Sequence, residues 1–101
     1  MGTREAPVLE PVVVSETKPA PLWRVILHND DVTTMDFVVH LLVTIFGKGQ
    51  AEAVRLMLEV HHVGASTVAT CPQERAELYV EQVHSLARGR GFPLCASAEP
   101  V

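Results

Sequence analysis

The distribution of proline and aromatic residues divides this chain near residue 21 and limits what it can fold into. Four of its seven prolines lie in residues 1–21, and all five aromatic residues come later. A segment without aromatic side chains cannot bury enough apolar surface to offset the entropy that it loses on ordering. We therefore predict a flexible N-terminal extension over residues 1–21 and one folded domain over residues 22–101.

Hydrophobic periodicity in the second part predicts three strands and three helices in the order βααβαβ. Thr33 with Asp36 resembles a capping box at the start of the first helix. The predicted strands cover residues 22–28, 63–70 and 92–97, and the predicted helices run from about Thr33 to Gly47, from about Gln50 to His61, and from Pro72 to Gly89. This order predicts an α+β domain with the helices on one face of a small three-stranded antiparallel sheet.

The charge and the apolar runs of the chain argue against several classes of protein. The net charge is −4, so the chain lacks the cations that a nucleic-acid or membrane surface attracts. A membrane-spanning helix needs roughly 20 apolar residues in a row, and the runs here are short. The N-terminus has no apolar segment of the kind found in signal peptides, and the chain has only Cys71 and Cys95. We expect a cytoplasmic protein with both thiols free.

A cluster of polar residues follows the first predicted strand and offers acceptors for a cation or an amine. Asn29, Asp30, Asp31 and Thr33 lie in this one short segment. Asn and Asp are common in turns and at helix starts, so a structural role accounts for one or two of them. Two adjacent carboxylates repel each other, and a turn does not require both. On residue types alone, both interpretations stay open.

The end of the second predicted helix carries a group of residues that are spaced to lie on one helical face. These residues are Met57, Val60 and His61. This pattern is typical of a core helix and is also compatible with a binding site. A metal site that combines His61, His62 and a cysteine is an alternative, but its spacing matches no zinc pattern and adjacent histidines point to different helix faces. We predict no metal and no cofactor.

Two longer motifs resemble those of the ClpS family. Members of this family are bacterial adaptors that deliver substrates with N-terminal degradation signals to the ClpAP or ClpCP protease. The first motif is Trp23–Val38, which contains Asn-Asp-Asp-Val-Thr-Thr-Met, and the second is Ala53–Gly64, which contains Leu-Met-Leu-Glu-Val-His-His-Val-Gly. Residues 74–77 and 91–94 match the family in the expected order. The resemblance covers residues 22 to about 99, which is the whole predicted domain.

The resemblance implies a site for a free α-amino group, formed by Asn29, Asp30, Asp31 and His61. It also implies a neighbouring pocket for the first side chain of the substrate, with a preference for Leu, Phe, Tyr and Trp. The residues that would form the walls of this pocket are Ile26, Thr33, Met35, Val38, Met57, Val60 and Leu94. Met35 would act as a gate against β-branched side chains. Binding breaks no bond, so the resemblance implies an adaptor and not an enzyme.

The resemblance also implies a partner, a ClpA- or ClpC-type AAA+ unfoldase. Glu74, Tyr79 and the N-terminal extension would contact it. The family often has lysine at the position of Tyr79 and proline at the position of Thr34, so this chain departs from the family pattern at both. We expect a monomer that binds no nucleic acid and no membrane.

Two other classes of function remain as alternatives. The first is a generic protein-interaction module, similar to the C-terminal domain of the ribosomal stalk protein, for which the acidic segment and His61 would have no use. The second is a small thiol enzyme that uses Cys71, because this residue precedes Pro72 at a predicted helix start, where a thiol pKa is lowered. No protease signature accompanies Cys71.

Overall fold

Residues 20–101 are described by a computed structural model, in which three strands and three helices follow each other in the predicted order. The strands are β1 (Leu22–His28), β2 (Ala65–Pro72) and β3 (Cys95–Pro100), and the helices are α1 (Met35–Thr44), α2 (Gln50–Val63) and α3 (Gln73–Gly89). The predicted α+β class and the βααβαβ order are confirmed. The predicted flexible extension lies, up to residue 19, outside the described residues.

Strand β1 lies in the centre of the sheet, between β2 and β3, and both neighbours run antiparallel to it. Val25 is fully buried and faces the helices, whereas Ile26 lies on the opposite face because successive strand residues alternate. Val25 pairs with Ala69 of β2, but Ile26 pairs with Thr67, so Val68 is the extra residue of a β-bulge. The bulge lets buried side chains of β2 stay on the helix-facing side.

The N-cap of the first helix lies one residue later in the chain than predicted. Thr34 is the N-cap, and its hydroxyl oxygen accepts a hydrogen bond from the Phe37 N–H at 3.2 Å. The prediction of Thr33 as the cap is therefore wrong, because the Thr33 hydroxyl is already bonded to the Asp30 carboxylate. The helix ends at Thr44, before the predicted stop at Gly47.

The boundaries of the remaining elements differ from the prediction by a few residues. Helix α2 continues to Val63, and Gly64 ends it in the left-handed conformation with a φ of 106°. Strand β3 begins at Cys95 and not at residue 92, because the Arg88 guanidinium holds the segment before it. The guanidinium donates to the Phe92 carbonyl at 2.8 Å and to the Leu94 carbonyl at 3.2 Å.

One hydrophobic core fills the space between the sheet and the helices. The largest side chains that are almost completely buried are Leu27, Leu41, Leu42, Leu94, Val25, Val68 and Val83. The aromatic residues pair around this core: Phe37 packs on Phe92, and Phe46 packs on Tyr79. Among the described residues, no helix has the length and apolar character that crossing a membrane requires.

Candidate functional site

The loop between β1 and α1 is organised by one carboxylate, that of Asp30. Its Oδ1 accepts hydrogen bonds from the Val32 N–H at 2.8 Å and from the Thr33 N–H at 2.7 Å. Its Oδ2 accepts a hydrogen bond from the Thr33 hydroxyl at 2.8 Å. Partial burial by itself raises the pKa of Asp30, but the three hydrogen bonds outweigh it, so the pKa lies below its usual range. Asp30 is therefore an ionised carboxylate whose two oxygens already stabilise the loop.

A backbone hydrogen bond connects this loop to the end of α2. The Asn29 N–H donates to the Gly64 carbonyl at 2.9 Å. His61 lies three residues before Gly64, in the last turn of α2, and its ring is exposed. Asn29 and Asp31 are exposed as well, and no other residue of the range 20–101 forms a hydrogen bond with the Asp31 carboxylate. The three side chains therefore lie at the same end of the sheet and are accessible to a ligand.

The predicted pocket walls are divided between the core and the surface. Val38, Met57, Val60 and Leu94 belong to one core cluster, and each is less than a tenth exposed. Met35 is 44% exposed at the start of α1. Thr33 is half-buried in the loop below it.

Ile26 was predicted as a pocket wall, but it lies apart from the other predicted walls. It pairs with Ser97 and Thr67 on the face of the sheet that the helices leave open. Arg24 and His28 share this face by the two-residue period of a strand, and their polarity was a sequence signal that Ile26 also faces away from the core.

Several surface grooves lie within residues 20–101. Met57 lines one of them, a groove of about 460 Å³ between α1 and α2. The four buried walls belong to one core cluster, so a large side chain can enter among them only if some of them move. Met35 and Met57 are the flexible side chains among them.

The two residues predicted to contact an unfoldase lie at the other end of β1. Glu74 is exposed in the first turn of α3, next to Pro72, which pairs with Leu22 at the start of β1. Tyr79 is half-buried: its ring packs on Phe46, and the Arg75 guanidinium lies 5.1 Å from the ring centroid. A strand of this length spans roughly 20 Å, so the ends of β1 form two separate surfaces.

A scan of protein families gives one match that covers most of the chain. The family described as "ATP-dependent Clp protease adaptor protein ClpS" matches residues 18–97. The chain belongs to the ClpS family. Members of this family are adaptors of the ATP-dependent Clp protease, and the prediction that the motifs around Asn29 and His61 identify a ClpS protein is confirmed.

Curated ClpS proteins of several bacteria are similar to this chain over most of their length. The adapter protein ClpS of Desulforapulum autotrophicum is 48% identical over 79 residues, which cover 78% of this chain and 76% of the relative. That of Oleidesulfovibrio alaskensis is 45% identical over 102 residues, which cover 100% of this chain and 95% of the relative.

A solved ClpS structure has the same fold. Agrobacterium tumefaciens ClpS2 bound to L-phenylalaninamide matches with a TM-score of 0.80 and 31% sequence identity. The match covers 82% of this chain and 100% of the other.

The two cysteines of this ClpS-family chain lie apart on the outer strands. Cys71 of β2 pairs with Trp23 at one end of β1, and Cys95 of β3 pairs with His28 at the other end. Both thiols are free. Burial raises the pKa of the Cys71 thiol, although the nearby Arg75 charge opposes this shift. A raised pKa reduces the thiolate fraction, which is the opposite of what a nucleophilic cysteine requires.

Among residues 20–101, no three His, Cys, Asp or Glu side chains are grouped as metal ligands. The rings of His61 and His62 are in contact, with their centroids 5.1 Å apart. The alternative metal site also requires a cysteine, and neither Cys71 nor Cys95 is grouped with the two histidines. The arrangement of Asn29, Asp31 and His61 is instead one of hydrogen-bond acceptors and negative charge beside apolar side chains, which suits an organic cation.

Proposed function

We propose that this ClpS-family adaptor binds proteins that begin with Leu, Phe, Tyr or Trp and carry a free α-amino group, and that it delivers them to a ClpA- or ClpC-type unfoldase. The A. tumefaciens relative is bound to L-phenylalaninamide, which has both a free amino group and an aromatic side chain. The single observation that carries the proposal is the hydrogen bond from Asn29 to Gly64, because it joins the acidic loop to the end of α2 that bears His61.

The chemistry of an α-amino group fits these residues. Its pKa is near 8, so it is mostly an ammonium ion at neutral pH. Asn29 offers a side-chain carbonyl, Asp31 offers an exposed carboxylate, and a neutral His61 offers one ring nitrogen. Asp30 contributes its negative charge and the shape of the loop, since both of its oxygens are already bonded within the loop. An acetylated N-terminus has no such charge and fewer donors.

The first side chain of the substrate enters between Met35, Thr33 and the edge of the core. Val38, Met57, Val60 and Leu94 form the deeper walls, and Ile26 is left out because it lies on the other face of the sheet. Burial of a Leu or aromatic side chain contributes on the order of 2–5 kcal/mol. Association entropy offsets much of this, so the affinity is moderate and the adaptor can release its substrate.

Entry requires Met35 and Met57 to change rotamer, which unbranched methionine does at low cost. Met35 is the more exposed of the two, so it lies at the entrance of the pocket and acts as the gate. A β-branched first residue has its extra methyl group next to the backbone, and in this proposal that methyl group meets Met35 at the entrance.

Delivery uses the opposite end of β1. Glu74 is exposed there, so an unfoldase can contact it while a substrate occupies the site near Asn29. Tyr79 belongs to the same helix but is partly covered by Phe46. Ala20 and Pro21, the described end of the N-terminal extension, line a groove with Glu74. The proposed partner therefore binds the surface around Glu74 at the start of α3.

Fluorescence anisotropy with a matched pair of peptides tests the proposal. A labelled peptide with a free N-terminal Leu is expected to bind, and the same peptide with an acetylated N-terminus is expected to bind at least tenfold more weakly. Equal binding of both peptides would favour the generic interaction module, which has no use for the amino group. A peptide that begins with Gly serves as the control for contacts beyond the first side chain.

A further inference from the structure

Ser66 is the only buried polar residue within the part of the chain that the structure describes. It is 5% exposed, and its hydroxyl has no hydrogen-bond partner among the described residues. A buried hydroxyl without a partner costs free energy, and replacement by an apolar residue would remove that cost. The position of Ser66 therefore calls for an explanation other than folding.

Ser66 lies close to the proposed amine site. It pairs with Leu27 of β1, which is fully buried, so both residues face the helices. Asn29 follows Leu27 by two residues, and the Gly64 carbonyl that binds Asn29 precedes Ser66 by two residues. Asn29 is displaced from Ser66 by two residues along the strand direction and by the distance between two neighbouring strands. These two displacements together separate their backbones by about 8 Å.

This position is on the core side of the site, below the proposed entrance. If the α-amino group of a substrate is held at Asn29, the side chain of that first residue points into the core and extends toward Ser66. Val60 and Val68 are also buried in this core and are apolar, so they cannot bind a polar group at the tip of such a side chain. The Ser66 hydroxyl can donate or accept a hydrogen bond.

We propose that Ser66 forms the polar end of the first-residue pocket and hydrogen-bonds the phenol hydroxyl of an N-terminal tyrosine. This inference rests on the proposed function. Phe needs no polar partner, so it leaves Ser66 as it is in the free protein. Tyr brings a hydroxyl that must lose its water, and Ser66 supplies the replacement. Ser66 is thus a specificity-determining residue that lets the pocket accept Tyr about as well as Phe.

The test compares peptides that begin with Phe and Tyr and are otherwise identical, by fluorescence anisotropy with the full chain. In Ser66→Ala, we expect the affinity for the Tyr peptide to fall about three- to tenfold, since one neutral hydrogen bond is lost, while the affinity for the Phe peptide is unchanged. The variant is expected to melt at the same or a higher temperature than the wild type. Removal of an unpartnered hydroxyl does not prevent folding.

Ser97→Ala is the matched control. Ser97 lies on the open face of the sheet and is bonded to His28 at 2.7 Å, so its loss is expected to leave the Tyr-to-Phe ratio unchanged. If Ser66→Ala changes both affinities equally, or neither, while Phe still binds, the role of Ser66 is refuted and the proposed function stands. If the wild type binds neither peptide, the proposed function fails and the role of Ser66 fails with it.

Discussion

Asp30 and Asp31 are adjacent residues with the same functional group and different environments. Three hydrogen bonds hold the Asp30 carboxylate inside the loop, whereas the Asp31 carboxylate is exposed. Asp30 therefore stabilises the loop, and the exposed Asp31 carboxylate is accessible to the amino group that the proposed function requires. The family resemblance predicts both as ligands of the amino group, and the residue types alone do not show that the Asp30 oxygens already accept hydrogen bonds within the loop.

Substitution of Asp31 or His61 is expected to weaken binding without unfolding the protein. Asp31→Ala and His61→Ala each remove an exposed group, and we expect a loss of affinity of about tenfold for a Leu-initiated peptide. The melting temperature is expected to stay within about 2 °C of the wild type, because exposed substitutions change stability little. Anisotropy and thermal melts check this, and a large loss of stability would show that these residues are structural.

Asp30 is expected to make stability depend on pH. Its pKa is lowered on folding, so its contribution is fully present above the unfolded value of about 4 and is lost as the pH falls through the lower folded pKa. Asp30→Asn keeps the shape but not the charge, and we expect it to be less stable at pH 7 by about 1 kcal/mol. Urea titrations between pH 2 and pH 7 are expected to show a smaller difference between the two proteins at the acid end.

The end of α2 is the element that holds the acidic loop in place. Gly64 ends the helix with a positive φ, its N–H donates to the Val60 carbonyl at 3.0 Å, and its own carbonyl accepts from Asn29. A glycine at this position is the usual signal for a helix end, and the helix ends at Val63, two residues after the predicted end at about His61. That the same residue also anchors the acidic loop depends on the pairing of β1 with β2, which no local pattern reports.

Gly64→Ala is expected to affect both the stability and the binding. A side chain in the left-handed region costs about 1–2 kcal/mol, although no atom lies within 4 Å of the added Cβ. For a domain of this size we expect a fall in melting temperature of roughly 4–15 °C, together with weaker peptide binding because Asn29 shifts.

Gly89→Ala is the control for this prediction. Gly89 is the last residue of α3 and has ordinary helical geometry with open space around it, so alanine there is expected to be neutral or slightly stabilising. Equal losses in the two variants would mean that the conformation of Gly64 is not the cause.

The molecule as a whole separates two surfaces by the length of β1. The acidic loop and His61 lie at one end, and Glu74 lies at the other, roughly 20 Å away. An adaptor needs such a separation because its substrate and its unfoldase have to be bound at the same time. The rigid connection between the two surfaces is the central strand of the sheet, which is paired on both sides.

This separation predicts that delivery and recognition can be changed independently. Glu74→Ala is expected to slow the degradation of a Leu-initiated substrate by a ClpA- or ClpC-type unfoldase with its protease, while the anisotropy of the peptide complex stays unchanged. Glu59→Ala, an exposed carboxylate on α2, is the matched control and is expected to leave delivery unchanged. If Glu74→Ala weakened peptide binding to the same extent as delivery, the two surfaces would not be separate.

The sequence by itself determined the element order, the α+β class and the family, because periodicity, glycine stops and short motifs are local properties of the chain. The spacing of Met57, Val60 and His61 predicted one shared helix face, but the structure buries Met57 and Val60 and leaves His61 exposed. The tertiary structure alone decided that the Asp30 carboxylate accepts hydrogen bonds within the loop and that Ser66 is buried beside the proposed site. These features depend on strand register, on a β-bulge and on hydrogen bonds between distant residues, and the free energy of such contacts exists only once the chain has folded.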